Sequence, residues 1–467
     1  MKLHYIWCMN EKSSEKSQSQ NLSYMLTSPI SSLVIKMAIP SIIGMLILSV
    51  YSLVDIYFVS KLGASASAAV GIVFSIMTLV QAMGFMLGTG GGSIISRKLG
   101  GGDIEKADKV ASVTFFSAIV AGFLVMIFGL VFKTDLMKLL GATDTIIPYA
   151  KDFAHYILLA SPIMCCSFVL NIMLRSQGKA NLSMIGLGSG AILTIILDPI
   201  FIFVLKLGIS GAAIATFLGQ TLSFLVLLAL YQRGNKFAKI RFSLFVSSFK
   251  EVIPKIIKNG SATFLRQSLV MIANILINIH ARPYGDEVLA SFSITSRIFV
   301  LVISVMFGLG QGFQPVAGFC YGANRLDRVK KAYNFTVIVS FFIQLMLGFS
   351  LFYFSSHIMG FFQSNSNVIK TGSEIIRYFA LSLPFLPFAV ITNMLFQATG
   401  QYKQGIFLAS CRQGIFFIPL IFVLPRIFGI SGLELCQPIA NILTAITSIP
   451  FAIFFFNKMS KKVKETR

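Results

Sequence analysis

Two aspartates stand out because they lie inside long apolar segments. Of the 17 acidic residues in the chain, only Asp55 and Asp198 occur well within such segments. A carboxylate in hydrocarbon costs about 3 kcal/mol or more unless it faces a polar cavity or is neutralised. Acids inside a membrane are therefore usually functional, and we expect these two to bind a proton or a cation. The alternative is that each only hydrogen-bonds to a neighbouring helix.

Two threonines are placed to join the aspartates. Thr194 precedes Asp198 by four residues, which puts both on one helix face. At about 1.5 Å rise per residue, Thr216 lies in the outer half of the bilayer, at the depth of Asp55 and Asp198. Carboxylate and hydroxyl oxygens suit a cation, and two close carboxylates also favour protonation of one of them. The set therefore predicts a proton or cation site in the first half of the chain.

Pro40 lies fifteen residues before Asp55 in the same apolar segment. Proline removes one backbone hydrogen bond and kinks a helix. The kink is either a hinge that responds to the charge on Asp55 or a static feature of packing.

Membrane-spanning helices must hold these side chains. The chain of 467 residues is 55% hydrophobic and only 12% charged, whereas soluble chains carry roughly a quarter charged residues. About twenty mostly apolar residues cross a bilayer, and the sequence contains twelve such stretches. They are residues 33–58, 67–95, 110–132, 146–172, 182–205, 209–231, 259–280, 288–318, 332–357, 375–398, 404–425 and 430–457.

The basic residues set the expected orientation. The even-numbered connectors between spans carry 18 Lys and Arg residues and the odd-numbered connectors carry 7. Basic connectors remain on the cytoplasmic side, so both termini are expected in the cytoplasm of a multi-pass cell-membrane protein. The net charge of +22 is therefore typical of a cytoplasmic face and does not indicate a nucleic-acid partner.

The second half of the sequence repeats the first. Asn171 and Asn393 are 222 residues apart, and a Pro pair and a Gly pair share that offset. Six spans per repeat give two lobes of the same orientation, an arrangement typical of secondary transporters with a site between the lobes. A duplicated structural protein is the alternative. The predicted units are a disordered lead (1–32), an N-lobe (33–232), a basic connector (233–258), a C-lobe (259–457) and a basic tail (458–467).

Polar residues in other spans are candidates for a substrate cleft. They are Gln81, Arg266, Asn274, Gln311 and Arg412. Hydrogen bonding between helices is an equally good explanation for the amides, as structural pairing is for the two arginines. If both arginines line the cleft, its C-lobe half is positive, which fits anionic or zwitterionic substrates better than simple cations.

No catalytic or nucleotide-binding signature accompanies these residues. The glycine run at 88–92 lacks the Lys-Ser/Thr that follows in a phosphate loop. No Cys or His spacing typical of a metal site occurs. We therefore expect a protein that is not an enzyme and has no cofactor, with H⁺ or Na⁺ as coupling ion and Na⁺ at Asp55 and Asp198 as the one metal.

Several segments together carry a family resemblance. They are IPSIIGMLILSVYSLVDIYFV, LGTGGGSIISRKLGGGD, LRSQGK, ILDPIFIFVLKLGISGAAIAT and GLGQGFQPVAGFCYGA. Over about residues 30–455 the chain resembles the multidrug and toxic compound extrusion (MATE) family, and its second half resembles the MepA-like branch. The resemblance implies an all-α membrane protein of two pseudo-symmetric six-helix bundles around a central cleft.

The resemblance also implies export of organic compounds against an inward proton or sodium gradient. Pro40, Asp55, Asp198 and Thr216 match the N-lobe site of the family in place, whereas Thr194 stands where members commonly have Asn. We therefore favour a cation-coupled antiporter for small organic substrates, expected to act as a monomer in the lipid bilayer. A flippase for a lipid-linked sugar and a non-transporting scaffold are the alternatives.

Overall fold

Twelve helices of membrane-crossing length make up the part of the chain that the structure describes. The computed structural model describes residues 24–143, 145–234, 238–363 and 365–465, whose regular elements are all helical. The first six are α1 (Ile30–Ser60), α2 (Ala64–Gly100), α3 (Ile104–Val131), α4 (Ile147–Ser176), α5 (Ala180–Val204) and α6 (Gly208–Gly234). The second six are α7 (Phe242–Ala281), α8 (Asp286–Gly322), α9 (Leu326–Phe362), α10 (Ser366–Thr399), α11 (402–428) and α12 (430–465).

A single glycine separates the last two helices. Gly429 has φ 60° and ψ −133°, a left-handed conformation that L side chains avoid, and the helical run breaks there. With this break counted, the predicted all-α fold with twelve spans in two six-helix bundles is confirmed.

The surface and the interior of the bundles differ as expected for a protein in lipid. On α9 the large side chains Met346, Phe349 and Tyr353 are each at least 70% exposed. The interior is formed chiefly by α4 and α10, the two most enclosed spans. A water-soluble protein would not leave such side chains uncovered in a continuous belt, so the apolar belt faces hydrocarbon.

The sequence repeat is reproduced in the packing of the two lobes. In the N-lobe, Asn171 on α4 donates through Nδ2 to the carbonyl of Ser183 on α5, at 3.1 Å. In the C-lobe, Asn393 on α10 donates in the same way to the carbonyl of Gly405 on α11, at 2.7 Å. Both members of the second pair lie 222 residues after those of the first, so the repeats share one internal geometry.

Glycines bring the two lobes into close contact. α1 packs on α8 and α2 packs on α7. A Cβ atom at Gly312 would lie 2.5 Å from the backbone of Ala38, and one at Gly90 would lie 2.1 Å from the carbonyl oxygen of Ile256. Small residues allow helix backbones to approach this closely inside a membrane, and at these crossings no larger side chain fits.

Both described chain ends lie on one face of the molecule, which we call the terminal face. Arg328 at the start of α9 donates to the carbonyl of Ser28 at 2.6 Å, and Tyr321 at the end of α8 stacks on Phe455 of α12. In the same region Asp103 caps α3, and the hydrogen bond from Lys106 holds the pKa of Asp103 below its usual range. The basic connectors after α2 and α8 therefore meet here.

Two predicted boundaries need correction. Residues 24–32 were assigned to a disordered lead, but α1 begins at Ile30 and Met25 is buried in the core cluster. Apolar Met25 packs beside Gly178, which orders this segment; residues 1–23 lie outside the described part. The connector 233–258 is helical from Phe242, because this stretch forms the first four turns of α7.

Candidate functional site

Asp198 lies at the point where α5 changes its geometry. It precedes Pro199, which lacks a backbone N–H, and the next residues form a π-helical turn, Ile200–Val204. Turns of this kind are frequent at functional sites. The Asp198 side chain is fully buried, and neither carboxylate oxygen has a hydrogen-bond partner among the described residues.

Asp55 on α1 faces the same pocket. α1 packs against α5, and the rings of Phe58 and Phe203 lie 6.2 Å apart just beyond the two acids, so Asp55 and Asp198 are at the same level of the lobe. Asp55 is partly exposed, and its buried Oδ1 has no hydrogen-bond partner in the described structure. The ion pairs of the described residues are all formed by other acids, near the terminal face. A proton or a cation would therefore relieve the uncompensated charge of these two acids.

Both predicted threonines lie within the enclosed part of the lobe. Thr194 is buried and donates its hydroxyl proton to the carbonyl of Gly190 at 3.0 Å, which leaves its oxygen lone pairs available. Thr216 on α6 is also buried, and its hydroxyl has no hydrogen-bond partner among the described residues. Each threonine therefore offers an oxygen that can accept a proton donor or coordinate a cation.

Tyr51 belongs to the pocket and was not identified from the sequence. It precedes Asp55 by one helical turn, and it interacts with Thr216 and with both aspartates. Its i, i+4 spacing to Asp55 was the signal that could have found it. Tyr51 adds a phenol that can donate a hydrogen bond to a carboxylate.

The oxygens of this pocket suit a small cation better than a transition metal. Within the described ranges, no group of three or more His, Cys, Asp or Glu side chains is arranged to hold a metal ion. Two carboxylates, two threonine hydroxyls and one phenol offer only hard oxygen donors. The arrangement can therefore hold a proton on a carboxylate or a sodium ion among the oxygens.

Pro40 lies on α1 closer to the terminal face than the acidic pocket, and it does not end the helix. α1 runs through it from Ile30 to Ser60. A cavity at this point is lined by Pro40 and Gly44 of α1, Asn171 of α4 and Leu187 of α5. Pro40 thus lies at the edge of a cavity, and its role as a hinge stays a prediction.

The amides predicted to line the cleft have different surroundings. Gln311 lies at the lobe interface, where it accepts a hydrogen bond from Arg175 and donates to Met45 Sδ at 3.4 Å. Gln81 is partly exposed and Asn274 is exposed, and neither side chain hydrogen-bonds to a described residue. The structure thus brings Gln311 to the seam between the lobes and leaves the other two amides unpaired.

The two predicted arginines meet inside the C-lobe. Arg412 lies in a π-helical turn of α11, Cys411–Ile415, and its Nε donates to Asn441 Oδ1 on α12 at 3.1 Å. Arg266 on α7 has its guanidinium carbon 4.9 Å from the ring centre of Phe307. The turn that carries Arg412 packs on α7, where a Cβ at Gly414 would lie 3.3 Å from Leu269 Cδ1, so the two arginines lie on adjoining segments.

The C-lobe also contains one buried acid among its described residues, near the start of α12. Glu434 on α12 is 1% exposed, and neither of its carboxylate oxygens has a hydrogen-bond partner among the described residues. Glu374 on α10 is near enough to repel it. Hydropathy does not predict this burial, because Glu434 lies only a few residues after Gly429, near the start of the last span.

A family model fits both lobes of the chain. The model described as MatE matches residues 40–200 and 262–423. The chain belongs to the MatE family. The two matched ranges include Asp55, Asp198 and Thr194 in the N-lobe and Arg266 and Arg412 in the C-lobe.

This MatE transporter is similar over nearly its whole length to named relatives. It is 26% identical to the multidrug export protein MepA of Staphylococcus aureus strain MSSA476, over 96% of this chain and 99% of the relative. It is also 26% identical to MepA of Staphylococcus saprophyticus, over 92% and 95% of the two chains.

Solved structures agree with the family assignment. An outward-facing multidrug resistance MATE transporter of the MOP superfamily has a TM-score of 0.89 and 26% identity, covering 94% of this chain and 98% of the other. A MOP superfamily transporter from Pyrococcus furiosus, whose binding pocket is described as reversed in polarity, has a TM-score of 0.88 at 26% identity and the same coverages. This MatE transporter therefore shares their multi-pass membrane fold.

Proposed function

We propose that this MatE transporter exports small organic compounds in exchange for protons or sodium ions that move inward. The observation that carries the proposal is the burial of Asp198 beside Asp55, with no basic partner for either acid in the described structure. Two unpaired carboxylates at membrane depth are costly unless a proton or cation neutralises them. The names of the multidrug export relatives support an exporter of organic compounds.

Ion binding is coupled to transport by the arrangement of the lobes. The hydrogen bonds that join the two lobes lie between the terminal face and the middle of α1. The last of them is at Ser49, whose hydroxyl is 3.0 Å from that of Ser304. The Asp55 pocket lies beyond this contact, toward the opposite face. Ion binding that favours one lobe arrangement, and substrate binding that favours the other, couple the two movements.

The charge distribution supports a cytoplasmic terminal face, because the basic connectors meet there. In this orientation the contacts between the lobes close the cytoplasmic side of the molecule. The cleft belongs to the two lobes of one chain, so a monomer in the bilayer suffices. No cofactor is required, since an ion gradient supplies the driving force.

The test is transport into proteoliposomes under imposed gradients. Uptake of a panel of fluorescent cationic, zwitterionic and anionic dyes is followed while pH and sodium gradients are varied independently. We expect transport to depend on one of the two gradients and to stop when an ionophore dissipates it. Transport that is indifferent to both gradients would contradict the proposal.

A flippase for a lipid-linked sugar is the second candidate, and the C-lobe arginines are the observation in its favour. A cationic cavity suits a phosphate-linked headgroup. The N-lobe acids argue against it, because a cavity built for a phosphate-linked headgroup would draw basic residues from both lobes. Movement of a fluorescent polyprenyl-phosphate sugar between leaflets without a gradient would favour this candidate over the antiporter.

A further inference from the structure

A buried polar stripe runs along one face of α12 in the C-lobe. Its residues follow one another at spacings of three and four, which places them on a single helix face. They are Glu434, Gln437, Asn441, Thr444 and Ser448, and all five are buried. Polar side chains at this depth are costly in a membrane protein and usually face a polar interior.

Asn441 in this stripe fixes the position of Arg412. Its Oδ1 accepts from Arg412 Nε at 3.1 Å and from Gln437 Nε2 at 3.0 Å, while its Nδ2 donates to Ser382 Oγ at 3.1 Å. Three helices of the lobe, α10, α11 and α12, are thereby linked with the guanidinium group. The network occupies Nε of Arg412, and neither terminal nitrogen of the fork bonds to a described residue.

Arg266 has even fewer partners. Its buried Nε lacks a hydrogen bond, and none of its other guanidinium nitrogens bonds to a described residue. The ring of Phe307 lies against it, and the π-helical turn that carries Arg412 packs on α7. Both arginines are partly exposed, so neither guanidinium is sealed inside the lobe.

Charge balance makes the pair unusual. No described carboxylate lies within ion-pair distance of either arginine. The acid of the stripe, Glu434, is seven residues from Asn441, or about 10 Å along the helix. Two like charges close together in a low-dielectric interior repel strongly unless an anion lies between them.

We propose that Arg266 and Arg412 form an anion-binding subsite for the carboxylate of an organic acid, whose apolar part lies against Phe307. The inference rests on the proposed transport function and specifies its substrate class. Paired guanidinium forks match a carboxylate in geometry and charge. In this arrangement the N-lobe binds the coupling cation and the C-lobe binds the anionic substrate.

Binding of matched probes tests the subsite without any gradient. The full chain in nanodiscs of zwitterionic lipid is titrated with 2-naphthoate, 2-naphthamide and 2-naphthylmethylammonium, with empty nanodiscs as blank. We expect 2-naphthoate to bind about tenfold to a hundredfold more tightly than the amide, because charged hydrogen bonds replace neutral ones. Equal affinities for naphthoate and naphthamide would overturn the proposal.

Substitutions of Arg266 test whether the arginine pair causes the preference for naphthoate over naphthamide. Arg266→Gln should reduce the preference for naphthoate to less than about threefold, whereas Arg266→Lys should retain part of it. Arg377→Gln is the matched control, because Arg377 is exposed on α10 and its Nε donates to Ser355 Oγ instead. A preference unchanged in Arg266→Gln would overturn the proposal.

A measurement on the unmodified chain covers the case in which Arg266→Gln does not fold. Phenylglyoxal labelling of Arg266, located by mass spectrometry, should be slowed by naphthoate and not by naphthamide. Labelling of Arg266 at the same rate with and without naphthoate would overturn the subsite. Naphthoate binding through Arg266 without gradient-driven transport would instead contradict the proposed function and leave the subsite standing.

Discussion

A carboxylate that is buried without a partner is an unusual residue, and Asp198 is one. The hydroxyls of Thr194 and Thr216 lie in the same enclosed part of the lobe, and a second acid, Asp55, is on the packed helix α1. None of these groups supplies a positive charge. The pocket is therefore polar enough to accept an acid and still requires a proton or cation for charge balance.

Replacing Asp198 by Asn should separate coupling from folding. The amide keeps the shape of the side chain and cannot take up a proton, so we expect gradient-driven transport to fall at least about tenfold. The cost of a buried unpaired charge disappears as well, so the free energy of unfolding should be unchanged or higher by about 1–3 kcal/mol. Both are measured in proteoliposomes and by thermal melting of the purified chain.

Asp135→Asn is the control for that experiment, since Asp135 is an exposed acid in a short surface helix. It should transport at the normal rate. Gradient-driven export that survives in both Asp198→Asn and Asp55→Asn would remove these acids from the mechanism.

Tyr51→Phe tests the residue that the sequence did not reveal. The variant lacks the hydroxyl that can donate a hydrogen bond to a carboxylate of the ion-bound site, and such a bond is worth about 1 kcal/mol, or about fivefold in an equilibrium. We expect a fall of that size in apparent affinity for the coupling ion, with the maximal rate less affected. Tyr57→Phe is the matched control, because Tyr57 lies on α1 and is exposed. Equal behaviour of the two variants would exclude Tyr51 from the site.

The sequence reveals these residues unequally for a physical reason. Asp55 and Asp198 are charges within apolar segments, which is a signal in the sequence itself. Tyr51 carries no such signal, because a tyrosine is common in apolar helices and only packing decides where its hydroxyl lies. The same holds for Glu434, whose burial depends on the helices that pack around the start of α12.

At the scale of helices, the spans were predictable from hydropathy, and their ends were less so. α7 begins at Phe242 although its predicted span began at residue 259, because its first turns carry basic residues such as Lys250 and Lys255. An amphipathic segment of this kind is too polar for a hydropathy criterion. The break at Gly429, in contrast, falls within one residue of the predicted start of the last span.

Glycine positions in the helices should respond to substitution according to what they face. Gly312→Ala places a methyl group 2.5 Å from the Ala38 backbone, and we expect it to destabilise this arrangement of the lobes by about 1–3 kcal/mol. Gly71→Ala on α2 meets no atom within 4 Å and should stabilise its helix by about 0.5–1 kcal/mol. Melting temperatures of the two variants should therefore move in opposite directions, and a shared direction would contradict the close crossing of α1 and α8.

At the scale of the whole molecule, the terminal face is closed by contacts between the lobes. Arg97 on α2 donates from Nη1 to the carbonyl of Ala398 at 3.1 Å, and Arg175 on α4 donates to Gln311 on α8. Arg175 and Gln311 line a small cavity together with Ser93 and Thr89 of α2. These polar contacts lie beside the glycine crossings, so the lobes can separate only if both sets of contacts break.

Arg175→Gln should therefore shift the lobes toward the arrangement that is open on the terminal face. The change removes a hydrogen bond from a charged group, worth about 1.5–3 kcal/mol, so the open population should rise about tenfold or more. The measurement is the labelling rate of Ser93→Cys by a membrane-impermeant maleimide applied to the terminal face, in a chain whose six native cysteines are replaced. Arg282→Gln, an exposed arginine after α7, is the control and should leave labelling unchanged. If Arg175→Gln labels no faster than this control, the Arg175–Gln311 contact does not hold the terminal face closed, and the glycine crossings must do so alone.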